Sequence, residues 1–213
     1  MGEAGGVDGS VLPDCVVTIK IRGGKVMHKL VVFFTIICLA GPVWAKKIAD
    51  VEIEEKIVNG DGVELKLNGA GIRKKVFFKI YIAELYLENQ QKEAQAVIAD
   101  EGAKRVVMHF LYDEVGKDKL VDGWKEGFSA NNDIETQKAL QLRIDTFNAM
   151  FDEDMVKGDI IVFDYTPGKG TLVTIKGKDR GFIEGKDFND ALLSIWLGNK
   201  PVSSDLRKDL LQP

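Results

Sequence analysis

Between Lys117 and Phe151 two apolar stripes follow one another at helical spacing. In "KDKLVDGWKEGFSAN" the large apolar residues Leu120, Trp124 and Phe128 recur every fourth position. After the capping cluster Asn131-Asn132-Asp133, the residues Leu140, Ile144, Phe147 and Phe151 form a second stripe. A helix with one apolar stripe must lay it on another apolar surface. The sequence on either side supplies that surface as strands. "DVEIEEKIV" alternates apolar and polar residues as a half-buried strand does, Asn59-Gly60-Asp61-Gly62 is a hairpin turn signal, and "VELKLNG" returns. "NGAGIRKKVFFKIYIAELYLEN", residues 68–89, continues as one long strand or two short ones. "QQKEAQAVIADEG" reads as a short polar helix and "AKRVVMHFLYDE" as a central strand. Beyond the two helices, "GDIIVFDYTPGKGTLVTIKG" is a hairpin around Pro167-Gly168-Lys169-Gly170. "KDFNDALLSIWLG" is a helix stopped by Gly198, and "SSDLRKDLLQ" starts a last helix with a serine cap. Helices with one stripe and strands with one apolar face bury both most simply as a helix layer on an antiparallel sheet. The fold class is α+β, in one domain over residues 46–213 with no linker or repeat.

The first 45 residues read differently. Met27-His28-Lys29 opens a basic stretch, and "LVVFFTIICLA", residues 30–40, is an apolar run too short to span a bilayer. Gly41-Pro42 breaks it, and Val43-Trp44-Ala45 places Val at −3 and Ala at −1 of a cut. Residues 27–45 therefore have the pattern of a signal peptide cleaved after Ala45, which predicts a periplasmic or secreted protein. Residues 1–26 read as an upstream extension outside the fold.

Removing these residues narrows the chemistry. Cys15, Cys38 and His28 all leave, so the mature chain has no thiol and keeps His109 as its one histidine. No disulfide is expected, and no zinc site, because the soft and imidazole ligands are missing. His109 lies inside the apolar run "RVVMHFLY" and reads as a core or sheet-face residue rather than a catalytic base. Net charge is −4, which gives no basic footprint for nucleic acid. The glycines of "NGAG" lack a following Gly-Lys-Ser/Thr and a helix, so they read as a tight turn rather than a phosphate loop. "FDEDM", residues 151–155, lacks the longer ligand pattern of a calcium loop and reads as a solvated acidic loop; the lysine of "TPGKG" reads as a solvated hairpin tip. No cofactor and no metal are expected.

Arg73 remains. It stands just after the glycines and before a hydrophobic run, either as a solvated strand end or as the polar anchor of an apolar pocket. The run from "NGAGIRKK" through "FKIYIAELYLE", the "WKEGF" helix, the "TPGKGTLV" hairpin and the ending "LLSIWLGNKPVSSDLRKDLL" resemble the chalcone isomerase-like family over residues 50–211. The likeness is to bacterial secreted members more than to the plant enzymes. It implies an open-faced β-sandwich, a large antiparallel sheet backed by helices with a cleft between them.

The resemblance implies two functions. Plant chalcone isomerases close a chalcone's phenolate oxygen onto its enone without a cofactor, and related plant proteins bind fatty acids without catalysis. In both, an arginine after the glycines points into the cleft, and Arg73 matches it. A guanidinium there can hold a carboxylate through two parallel hydrogen bonds, or stabilise an enolate oxygen. The rest of the enzyme set does not carry over. Its threonine on the next strand falls at Tyr81, its tyrosine and asparagine at Lys119 and about Glu126, and its second threonine near Lys178. One match in five argues against authentic chalcone isomerisation.

The expectation is thus non-catalytic binding of a fatty acid or similar amphipathic carboxylate, with Arg73 and Tyr81 as ligand contacts. The alternative is a cofactor-independent isomerase or lyase acting on an enone, with Arg73 and Tyr81 as the catalytic pair. A third reading is a structural or partner-binding protein whose cleft is filled by its own side chains. No nucleic acid and no stable membrane insertion after cleavage are expected, and the sequence assigns no oligomeric state. Eight residues of continuous strand span about 26 Å, so Arg73 and Tyr81 can share a ligand only if the chain reverses between them, at a place such as Lys74-Lys75.

Overall fold

The computed structural model describes residues 46–213; the extension and signal peptide expected over residues 1–45 lie outside the described residues. Two short strands, β1 (Lys46–Ile48) and β2 (Val51–Ile53), pair with each other. The main sheet then begins with β3 (Lys56–Val58), β4 (Glu64–Lys75) and β5 (Phe78–Leu87). Helix α1 (Ala94–Ala99) leads to β6 (Lys104–Phe110), and the short β7 (Glu114–Val115) leads to α2 (Lys117–Asn131) and α3 (Ile134–Ala149). Strand β8 (Met155–Val156) pairs with β7, and β9 (Ile160–Thr166), β10 (Gly170–Ile175) and β11 (Lys178–Glu184) complete the sheet. The chain closes with α4 (Lys186–Leu197) and α5 (Ser204–Leu210). The seven-stranded sheet is antiparallel in the order β11-β10-β9-β6-β5-β4-β3, so the apolar strand β6 is central. This is the expected α+β arrangement of a large antiparallel sheet backed by helices.

The two stripes do what their spacing requires. Leu120, Trp124 and Phe128 of α2, and Leu140, Ile144 and Phe147 of α3, are all buried. They meet the inward faces of β5, β6 and β9, whose Ala83, Leu85, Met108 and Phe163 belong to the same core. Aromatic rings fill its centre: Trp124 lies 5.7 Å from Trp196 and 5.8 Å from Phe163, ring centre to ring centre. Full burial of such side chains stabilises the fold by roughly 2–3 kcal/mol each. Asp133 caps α3 by accepting from the Thr136 amide at 2.7 Å, and Ser203 caps α5.

The other face carries smaller clusters, partly covered by the β1–β2 hairpin through Ile48, Val51 and Ile53. The sheet curls. In a flat sheet β3 and β9 would stand roughly 19 Å apart, at about 4.8 Å per step. Yet Asp61, in the turn after β3, accepts from Thr166 and Lys169 of the β9–β10 hairpin at 2.8 and 2.7 Å. That lysine is therefore tied to another turn, where the sequence reads as a free tip.

Three further sequence readings change. "DVEIEEKIV" is not one strand: it breaks at Glu54-Glu55 into β2 and β3, which pair with different partners. Strand β11 is absent from the sequence pattern because it is an edge strand rich in charge, interrupted by Gly181. The glycines of "NGAG" make no turn. Gly69 and Gly71 sit mid-strand in β4, where an added Cβ would meet α5 at 2.2 Å (Asp209 backbone) and 2.4 Å (Asp209 carboxylate). They are glycines so that α5 can lie directly on the strand.

Candidate functional site

Strands β4 and β5 form a hairpin whose two-residue tip is Val76-Phe77. The chain does reverse between Arg73 and Tyr81, just beyond Lys74-Lys75, and the two residues stand directly opposite each other. Opposed residues share a face of the sheet. That face is the one covered by helices, since Tyr81 belongs to the main core with Ala83 and Leu85. The guanidinium carbon of Arg73 lies 5.7 Å from the centre of the Tyr81 ring, within cation–π range. A register shift between Arg73 and Lys74 leaves Ile80 as an extra residue, and it joins the same wall.

A cavity of about 70 Å³ opens here, lined among others by Arg73, Tyr81, Met108, Phe110, Leu120 and Trp124. It adjoins a wider cleft of about 520 Å³ between the hairpin and the first half of α2, with which it shares Arg73, Ile80, Val115, Lys119 and Gly123. The outer volume falls in the usual range for small-molecule sites, and the inner one suits a head group. Beyond the inner cavity the core is closed by Trp124, Trp196 and their aromatic neighbours. A chain-like ligand therefore has room outward, along α2, and not through the interior.

Two donors on the inner cavity have no partner. Arg73 Nε and Trp124 Nε1 are buried and unbonded, and Arg73 pairs with no carboxylate among the described residues. Unpaired buried donors are rare because each loses about 1–3 kcal/mol of hydration. The Tyr81 hydroxyl accepts from Trp196 Nε1 at 3.1 Å, which leaves its own proton to donate. Burial pushes the Tyr81 phenol above its ordinary value, an effect only partly opposed by Arg73 and the Trp196 bond. It stays protonated at neutral pH, so it is a hydrogen-bond donor and not a base. The set is complementary to an oxyanion or carboxylate.

The sequence singled out Arg73 and Tyr81, and the fold brings them together. It missed Trp124 and Trp196 as polar contributors, because their helical spacing reads as core, which is also true of them. Lys119 and Glu126, the positions aligned with the enzyme's tyrosine and asparagine, both line the outer cleft. Lys178, at the start of edge strand β11, does not line it.

Other hollows and clusters suit a ligand less well. The largest hollow, about 950 Å³, is lined by Arg143, Lys169, Lys186 and other charged residues that already pair, Arg143 with Asp187 and Lys186 with Asp190. Its apolar side chains are limited to Tyr165 and Phe182, among several charged residues. The acidic residues 152–154 lie in a surface loop, as expected, but their carboxylates are engaged. Asp152 pairs with Arg180, Glu153 with Lys176, and Asp154 accepts from the first amide of α2 at 2.8 Å. Among the described residues no three His, Cys, Asp or Glu side chains are grouped to hold a metal ion. His109 faces away from the helices, 2.8 Å from Glu84, remote from Arg73 on the opposite side of the sheet.

The comparisons with known proteins agree with this fold. A family model described as chalcone isomerase-like matches residues 45–212. Among solved structures, a fatty-acid binding protein of Arabidopsis thaliana matches with a TM-score of 0.55 and 15% identity, over 74% of this chain and 96% of that one. No curated protein matches in sequence.

Proposed function

The chain belongs to the chalcone isomerase-like family, and from that premise we propose that it binds a fatty acid or similar amphipathic carboxylate without catalysis. Arg73 holds the carboxylate, and the Tyr81 hydroxyl and Trp124 Nε1 supply further donors. The alkyl part lies outward in the cleft along α2. The observation that carries this reading is the pair of unpartnered buried donors, Arg73 Nε and Trp124 Nε1, on one small cavity. A guanidinium half-buried among apolar side chains with no acid beside it is complementary to an incoming anion. The relative from Arabidopsis, described as a fatty-acid binding protein, supports the ligand class.

The location proposed, periplasmic or secreted, rests on the signal-peptide pattern of residues 27–45. So does the domain division, with the folded domain starting near Lys46. Amino-terminal sequencing of the exported protein should begin at Lys46.

The alternative, an isomerase or lyase for an enone, needs a group that takes up a proton. Tyr81 keeps its proton, Glu126 stands in the outer cleft away from the head-group cavity, and Lys119, on the rim shared by both, is the one group left near Arg73 among the described residues that could carry a proton. The deciding experiment is calorimetric titration of the purified protein with dodecanoate, beside an assay for turnover of a chalcone. Saturable dodecanoate binding that disappears in Arg73→Ala, with no turnover, supports the binding role. Turnover abolished by Arg73→Ala would replace it with the enzymatic one.

A further inference from the structure

The tip of the β4–β5 hairpin is built against the ordinary rules of a tight turn. Its residues Val76, Phe77 and Phe78 are 78%, 92% and 56% exposed, three consecutive large apolar side chains facing solvent. Val76 has φ of 58°, in the left-handed region that two-residue hairpins normally fill with Gly or Asn. A β-branched residue there is strained, and a polar turn would fold better. The ring of Tyr112 meets that of Phe78 at 5.4 Å, and Phe77 is left almost wholly to solvent.

The charge around the tip is as unusual as its exposure. Lys74, Lys75 and Lys79 flank it, all exposed and none in an ion pair among the described residues. Residues 68–83 contain four cations and no acid, in a chain whose net charge is −4; the acids nearby, Glu114, Asp122 and Glu126, lie on the wall of the adjoining cleft and not on the hairpin. An exposed aromatic tip ringed by unpaired lysines matches the interface of an anionic bilayer: apolar rings enter the acyl boundary while ammonium groups meet the phosphates. A protein partner would need a specific pocket; a lipid surface needs only this composition. No helix among the described residues is long and apolar enough to cross a membrane, so the contact is interfacial. The cleft opens beside the same tip, with Lys75, Val76 and Phe78 on its wall.

We propose that the 74–79 hairpin tip docks the protein on anionic lipid surfaces, with Phe77 and Phe78 inserted at the interface and Lys74, Lys75 and Lys79 on the headgroups. This stands apart from the carboxylate reading, though docking would set the cleft's mouth at the membrane. The two fail separately: vesicle binding without dodecanoate binding keeps this proposal and removes the other.

The test is co-sedimentation of the full chain with vesicles of phosphatidylcholine containing about a third phosphatidylglycerol, against phosphatidylcholine alone. Binding should prefer the anionic vesicles and weaken as salt rises. Substituting all three lysines, Lys74→Gln, Lys75→Gln and Lys79→Gln, should weaken it by roughly 100-fold, at roughly fivefold per lysine. Phe77→Ala should weaken it by roughly tenfold. Phe77 packs against nothing, so its variant keeps the fold, which an unchanged melting temperature verifies. Absence of vesicle binding overturns the proposal, as does binding that both variants leave intact, since that would belong to another segment such as the apolar run at 30–40. Concentration-dependent dimerisation lost in Phe77→Ala, without vesicle binding, would also overturn it and make the tip a self-contact.

Discussion

Two arginines on one sheet show opposite uses of the same side chain. Arg105, on β6, points away from the helices. Its guanidinium makes a bidentate pair with Asp164 of the neighbouring strand β9, one bond at 2.8 Å and the other shorter. Nearby, Glu84 accepts from the Tyr86 hydroxyl at 2.7 Å, and its other oxygen stands 2.8 Å from His109 Nε2 with no hydrogen bond formed. Burial, with Glu84 beside it, pushes the Tyr86 phenol far up, so it remains a donor. Arg105 thus finds its charged partner across the sheet. Arg73, on the helix-covered face, has an aromatic ring beneath it, an apolar cavity beside it and no acid. The paired set completes the fold, whereas Arg73 stands half-buried with its Nε unpartnered, at some cost in stability.

Substitutions can break that contrast. Arg73→Ala should lower affinity for dodecanoate by roughly 100-fold, since it removes a charge-assisted pair, while the melting temperature holds or rises. A large loss of stability instead would make Arg73 a structural residue like Arg105. Asp164→Ala should do the reverse. It leaves Arg105 half-buried without its acid and should destabilise the fold by about 2 kcal/mol in urea unfolding, with dodecanoate affinity unchanged. Equal effects of the two variants on both readouts would erase the distinction.

Smaller changes sharpen it. Trp124→Phe keeps the aromatic core and removes one unpartnered donor, so affinity should fall roughly fivefold to tenfold with stability level or slightly higher. Gly123 lies on the cleft wall, and a Cβ there meets nothing within 4 Å. Gly123→Leu should therefore stabilise α2 by up to about 1 kcal/mol while weakening long-chain ligands more than acetate-sized ones. Unchanged chain-length preference in that variant would move the alkyl tail elsewhere. The least effect is expected from pH. Tyr81, raised above its ordinary 10.0 by burial, keeps its proton across this range. Affinity should thus be flat between pH 6 and 9 and fall only as the ligand's own carboxylate protonates, near pH 5. Above pH 10 the sign turns against the fold. The unfolded chain releases the Tyr81 proton before the folded one does, so stability drops as pH rises through 10, and Tyr81→Phe should lessen that drop.

Local sequence signals were enough for many of the elements. Two stripes at helical spacing gave α2 and α3, alternation and turn residues gave β9, β10 and the long β4–β5 segment, and Asp133 and Ser203 marked helix starts. These signals are local: period, cap and turn chemistry act within a few residues. Arg73 was legible only through its resemblance to a family, because one arginine beside a strand has no period. What the tertiary structure decided is everything that depends on partners distant in sequence. It split "DVEIEEKIV" between two sheets and recruited the charged β11 as an edge. It turned Gly69 and Gly71 from a presumed turn into the seat of α5, more than 130 residues later. It also placed Trp124 of α2 and Arg73 of β4 on one cavity and left both without a partner. Hydrogen-bond satisfaction is a property of the packed molecule, so which polar groups stay free to meet a ligand cannot be written in any short stretch of chain.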